Sequence, residues 1–292
     1  MPCLNLMRHA LWMALFVLSI GCCHLGLGRL EPFSPAEYET HVRARQSDYG
    51  PSFTVIVVPP FVVIGDGPRA WVKQDADEVV NVAAKLLKAR YFPRDPAEII
   101  DILMLQTDAS YDAYANSFAG APATPYGYYS PCRRTLYINM SLGNGTLVHE
   151  MVHAFMEANF PASPVWFNEG LGALYEHTDL GSGDLHGRIN WRLPGLKTAI
   201  EHGKTIPFED LFAKGRLEFY DTKTSGLHYA MARYLLYYLQ EKGLLETYYH
   251  QFVANQKKDP TGLATLQNVL GEKDLRTFRG KWDSAVMALP DP

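Results

Sequence analysis

Two hydrophobic rhythms divide this chain. Its first half carries short β-branched runs bounded by turn residues, and its second half carries apolar residues three and four apart. Phe53-Thr-Val-Ile-Val-Val58 and Phe61-Val-Val-Ile64, split by Pro59-Pro60, predict two short strands. Residues 99–105 predict a third. Residues 134–139 alternate and predict a fourth, just ahead of a strongly apolar helix. Between them, residues 75–91 set Val79, Val82, Ala83, Leu86 and Leu87 at helical spacing. Asp108 opens a short helix, and residues 119–125 form a loop of small residues. Ser34-Pro35 opens a short amphipathic helix before the first strand.

Beyond residue 160 the spacing is almost wholly helical. Helices are predicted at 194–202, 208–212, 227–241, 245–255, 261–270 and 275–287. Gly181-Ser-Gly-Asp184 reads as a flexible joint, and residues 188–191 as a strand fragment or a cleft-side loop. Strands with helices first and helices alone afterwards predict an α+β fold.

The most informative stretch is Thr146-Leu-Val-His149-Glu150-Met-Val-His153-Ala-Phe-Met156. On a helix, positions four apart share a face, so both imidazoles can reach one metal ion with Glu150 beside them. That arrangement suits Zn²⁺ with a carboxylate poised to take a proton from its water. Three fixed positions in five are a weak signal by themselves. The surroundings strengthen it: Leu147, Met151, Ala154, Phe155 and Ala158 line one side, and Val148 and Val152 another. A helix apolar nearly all round is buried, and buried imidazoles need partners. Pro161 and Pro164 end this helix. A second helix starting near Trp166 or Phe167 carries Glu169 back towards the two His. Two imidazoles and a carboxylate make an open three-ligand set.

His149-Glu150-x-x-His153 followed by Trp166-Phe167-Asn168-Glu169-Gly170-Leu171 resembles the gluzincin zinc peptidases. Their thermolysin-like enzymes and leukotriene-hydrolase-type aminopeptidases share the pattern. The Trp-Phe-Asn-Glu-Gly version is most similar to the bacterial peptidase MA-like domains. The specific likeness covers about residues 136–177. It implies a zincin-like fold: a small mixed sheet with an active-site helix, then a mostly helical half. It implies His149, His153 and Glu169 as zinc ligands and Glu150 as general base. Asn168 corresponds to a residue that orients a ligand His, and Glu176 to a supporting Glu of the aminopeptidase branch. The strand at 134–139 corresponds to a sheet edge that pairs with substrate backbone. A Tyr or His on a later helix faces the carbonyl oxygen in this family. Tyr229 is the first choice here and His228 the second. The Gly-x-Met-Glu-Asn signature that reads a substrate amino terminus is absent.

Arg8 and His9 precede an apolar run at 10–20, which reads as a secretory signal too short to span a bilayer comfortably. Leu18-Ser19-Ile20-Gly21-Cys22 resembles a bacterial lipobox, with Cys22 as the lipidated residue. Ordinary cleavage nearby and a retained short anchor remain open. All three place the folded part outside the cytoplasm, as a lipoprotein of the cell envelope or as a secreted protein.

Residues 1–21 are thus expected to be a signal peptide and 22–50 a linker with its short helix. Residues 51–292 form the catalytic domain: a sheet half at 51–160, a helical half at 161–292, and the metal in the cleft between them. The net charge of −4 gives no electrostatic case for nucleic acid. The four Cys (Cys3, Cys22, Cys23 and Cys132) make no disulfide framework once the leader is lost. Cys132 sits beside Arg133 and Arg134, the setting of a reactive thiol, with no other supporting feature. Asn139-Met-Ser141 and Asn144-Gly-Thr146 match glycosylation acceptors by chance, and Asn144 or Thr146 reads as a helix cap. His177 reads as a helix-end cation and His186 as a surface residue. The expected activity is hydrolysis of a peptide or protein substrate. The alternatives are a zinc-stabilised module that binds peptides or envelope partners without cutting, and hydrolysis of a non-peptide bond.

Overall fold

The computed structural model of the chain describes residues 27–115, 117 and 124–292. The expected signal peptide, the Cys22 lipidation site, Cys3, Cys23 and most of the small-residue loop lie outside the described residues.

The first helix, α1 (Pro35–Tyr49), begins at a capping box in which Ser34 and Glu37 satisfy each other's backbone N–H groups. It is not the amphipathic helix expected, since only Tyr38 of its residues is buried. Tyr38, Val42 and Tyr49 pack on a second apolar cluster beneath it, and polar contacts pin it further. His41 Nε2 lies 2.7 Å from Asp101 Oδ1, and Arg45 Nε lies 3.4 Å from Asp101 Oδ2.

Strands β1 (Thr54–Val58) and β2 (Phe61–Gly65) form a tight antiparallel hairpin around Pro59-Pro60. The helix expected at 75–91 begins earlier. It runs as α2 (Arg69–Asp75), a π-helical turn (Ala76–Val80) and α3 (Asn81–Arg90). Strand β3 (Ile100–Leu105) is buried at every position, as a strand with neighbours on both sides must be. Helix α4 (Asp108–Ala115), β4 (Gly127–Ser130) and β5 (Thr135–Asn139) complete the first half.

The sheet order is β1-β2-β3-β5-β4, with β2, β3 and β5 parallel and both outer strands antiparallel. Thus β5, expected at an edge, is interior. Its TLYIN run is buried throughout because β3 and β4 flank it. The edge next to it is β4, which the apolar pattern did not reveal.

Helices α5 (Gly145–Asn159) and α6 (Val165–Tyr175) follow, and then α7 (Leu193–Glu201), α8 (Phe208–Ala213), α9 (Arg216–Phe219), α10 (Ser225–Glu241), α11 (Leu245–Asn255), α12 (Leu263–Leu270) and α13 (Leu275–Met287). Mixed sheet first and helices after make the fold α+β. The expected Gly joint is a 3₁₀ turn at Leu180–Ser182, and residues 188–191 form no strand. Asn144 stands at the N-cap of α5 but makes no side-chain cap bond. Asn139 is 2% exposed and donates to Asp108 and to the Pro125 carbonyl, so it cannot accept a glycan without unfolding. Cys132 is disulfide-bonded, which removes the reactive thiol. Among the described residues no helix is long and apolar enough to cross a membrane.

One continuous core joins the halves, from Val58 and Phe61 in the sheet to Trp282 and Val286 in α13. Its hinge is aromatic. Phe155 of α5 meets Phe61 edge-on at 5.4 Å and stacks on Phe92 at 5.4 Å. Phe92 meets Tyr249 of α11, which stacks on Phe167 of α6. Truncating Phe155 to Ala should cost about 3–5 kcal/mol by opening a cavity at this junction. Because the core is shared, chemical denaturation should show both halves lost in one transition.

Candidate metal centre

Helix α6 is wedged between α5 and α10. Gly170 and Gly172 are two residues apart, about 200° round the helix, and so serve opposite faces. A Cβ at Gly170 would lie 3.1 Å from Ala232 Cβ of α10, and one at Gly172 would lie 2.9 Å from His149 Nε2 of α5. Only glycine lets the ring of His149 lie against the backbone of α6. The neighbouring Glu169 then turns its carboxylate towards both imidazoles.

Side-chain donor atoms of His149, Glu150 and His153 lie within 4.8 Å of one another, a group that could hold a metal ion. The rings stand nearly perpendicular, with centroids 4.7 Å apart. Glu169 is closer to them than that grouping requires. Its Oε2 is 3.3 Å from His149 Nε2 and 3.6 Å from His153 Nε2. Two donors bound at ~2.0–2.1 Å to one tetrahedral ion stand roughly 3.3–3.4 Å apart. The His149 spacing fits that edge, and the His153 spacing is a few tenths of an ångström longer. His149, Glu150 and Glu169 are each under a tenth exposed.

The remaining ring nitrogens are committed elsewhere. His153 Nδ1–H donates to Asn168 Oδ1 at 2.9 Å. His149 Nδ1 lies 3.4 Å from Glu176 Oε2. These partners fix both rings with Nε2 facing Glu169. Glu176 is itself held by Arg192, whose Nη2 donates to both carboxylate oxygens at 3.1 and 3.3 Å. Glu150 Oε2 accepts the backbone N–H of Tyr129 on β4 at 2.8 Å. That N–H points off the free edge of the sheet towards the centre. Glu150 is therefore anchored through one oxygen and keeps the other for chemistry.

Two phenols cap Glu169. Tyr229 donates to Oε2 at 2.9 Å, and Tyr220 donates to Oε1. Burial, and then the Glu169 charge, raise both phenols far above their usual range, so both stay protonated. His228, the alternative to Tyr229, does not face the centre. It is buried, and its Nδ1–H donates to the Phe219 carbonyl at 2.9 Å. His177 Nδ1 bonds the Ile189 carbonyl, and His186 pairs with Glu241.

No protein-family model matches the chain, and no curated protein matches its sequence. The case for the centre stands on its own atoms.

Those atoms include residues that motif reading missed: Tyr220, Arg192, Gly172 and the Tyr129 N–H. Only Gly172 left a trace, as a second glycine inside an apolar helix. A pocket of about 570 Å³ also touches Glu176, with Val79, Val82, Val148 and Leu180 in its wall. Since Glu176 stands on the Nδ1 side of His149, this pocket lies behind the ring and not over the converging donors.

The electrostatics favour a cation. Burial lowers the pKa of His149, but hydrogen bonding to Glu169 and Glu176 outweighs it and brings the pKa up to about 10. His153 is depressed by burial and raised more strongly by Glu169. Burial pushes Glu169 up, yet the two imidazoles hold it well below the usual carboxylate range. Without metal, both rings therefore bind protons that a metal must displace. His149 is raised in the folded chain, so its stabilisation is full below its usual 6.5 and is lost as pH climbs towards about 10. The melting temperature of metal-free protein should fall across that window. The gap to metal-loaded protein should widen with pH. Calorimetric titrations in buffers of different ionisation enthalpy should detect protons released on metal binding.

Proposed function

We propose that this chain is a zinc-dependent peptidase of gluzincin type, with a zincin-like fold. The observation that carries the reading is the approach of Glu169 Oε2 to both ring nitrogens, 3.3 Å from His149 Nε2 and 3.6 Å from His153 Nε2. Two imidazoles and one carboxylate are a donor set suited to Zn²⁺, and three protein ligands leave a position open to substrate and water. His149, His153 and Glu169 would hold the ion. When bound, zinc would supply Lewis-acid polarisation of a carbonyl group and of the attacking water.

The chain's own groups account for the rest. Glu150 is buried beside the two rings, with one oxygen fixed by the Tyr129 N–H. Its free oxygen takes the proton from the attacking water and passes it to the leaving amine. Tyr229 remains a phenol, and its hydroxyl lies 2.9 Å from Glu169 Oε2. By releasing Glu169 it can turn its single proton to the charge that collects on the carbonyl oxygen. Among the described strands β4 is the outer one beside this centre, and its outward backbone groups other than the Tyr129 N–H can pair with an extended peptide. Such pairing would set a peptide carbonyl across the two His and Glu150. The leader at 10–20 and the Cys22 motif extend the reading to an exported protein, anchored by lipid to a bacterial envelope.

Casein or a peptide library should be cleaved, and a zinc chelator should stop the cleavage. Glu150→Gln should retain metal and lose on the order of 10²–10⁴-fold in kcat. Wild-type rates in that variant would refute Glu150 as base. Tyr229→Phe should lower kcat by roughly 10²–10³-fold with little change in KM, since its contact forms in the transition state.

A further inference from the structure

We propose that Tyr220 is a positioning residue which confines Glu169 to presenting a single oxygen, Oε2, to the metal. This rests on the metal-centre reading above. A carboxylate can bind a metal through one oxygen or through both. Glu169 Oε2 faces the two His Nε2 atoms and takes the Tyr229 hydroxyl. Oε1 takes the hydroxyl of Tyr220. While that bond holds, Oε1 is oriented towards a neutral donor and the carboxylate cannot roll to offer both oxygens.

The hydroxyl of Tyr220 is itself well fixed. Tyr220 is the C-cap of α9, and its N–H donates to the Arg216 carbonyl. Its ring meets Phe219 edge-on at 5.6 Å, and the Arg216 guanidinium lies 5.4 Å from its centre. Phe219 is fully buried against His228 and Tyr229. The Phe219 carbonyl accepts His228 Nδ1–H at 2.9 Å. Thus His228, buried and off the centre, acts as the peg that ties α9 to α10. The path from His228 through Phe219 to Tyr220 ends on the one Glu169 oxygen that faces neither imidazole. Tyr220 also touches no group assigned to proton transfer, which separates its role from those of Glu150 and Tyr229.

The test compares wild type and Tyr220→Phe as purified full chains, using Zn²⁺ and Co²⁺ alone as probes. Competition against a chelating indicator should show Tyr220→Phe binding Zn²⁺ about 10–100-fold more weakly, as for other residues that orient a ligand. Its metal-free melting temperature should fall somewhat, because the buried Glu169 Oε1 loses its donor. The visible d–d bands of the Co²⁺ form should lose intensity as a fifth donor joins four. That spectrum reports the donor set directly, so it decides the matter even if the variant is also less stable. Equal zinc affinity with an unchanged cobalt spectrum would overturn the proposal. If wild type binds neither ion, the centre is absent and both readings fall. If wild type binds zinc yet cuts no peptide, the peptidase reading fails alone, and the Tyr220 comparison still stands.

Discussion

The close packing of α6 against α5 on one face and α10 on the other is the constraint on which the centre depends. Gly172 admits the His149 ring, and Gly170 admits Ala232. With both approaches closed down to contact distance, Glu169 has nowhere to turn except towards the two imidazoles. A methyl group on either face would push the helix away by tenths of an ångström. Donor spacing of 3.3 and 3.6 Å leaves no room for that. Packing of the core and geometry of the centre are therefore one problem with one solution.

Bringing three carboxylates and two imidazoles into a nearly dry site is costly unless each is paired. The chain meets that cost by recruiting partners from almost every neighbouring element. The edge strand lends a backbone N–H to Glu150, and α6 lends Asn168 to His153. Glu176 answers His149 and is answered in turn by Arg192 from the start of α7. Phenols from α9 and α10 close over Glu169. The result is a fixed cage of carboxylates whose charge holds protons on both rings.

The sheet contributes position more than chemistry. Its interior strands are buried throughout and hold α5 rigidly from below. Helix α1, with little apolar surface of its own, is fastened to the same sheet through the buried Asp101. The far face carries a second apolar cluster, to which Tyr38, Val42 and Tyr49 of α1 and Tyr111 and Ala115 of α4 contribute. The outer strand β4, the last in the sheet among the described residues, then lies beside Glu150 and is tied to it through the Tyr129 N–H.

Local pattern was enough to determine the α+β class, the boundaries of α11 and α13, and the pairing of His149 with His153. Each depends on residues within a turn or two of one another, where spacing alone decides which side chains share a face. The approach of Glu169 was also legible, because Pro161 and Pro164 force the turn that brings α6 back. The order of strands was not legible. Burial on both faces erases the alternation that marks an edge, so β5 read like a border strand although it has neighbours on both sides. Tyr220 and Arg192 were hidden for a related reason. They lie 51 and 16 residues from the carboxylates they bond. No short-range rhythm records a contact made only when α9 and the start of α7 fold over α6. The chain's own pattern settled what most segments would become, and tertiary packing alone chose which polar side chains would meet around Glu169.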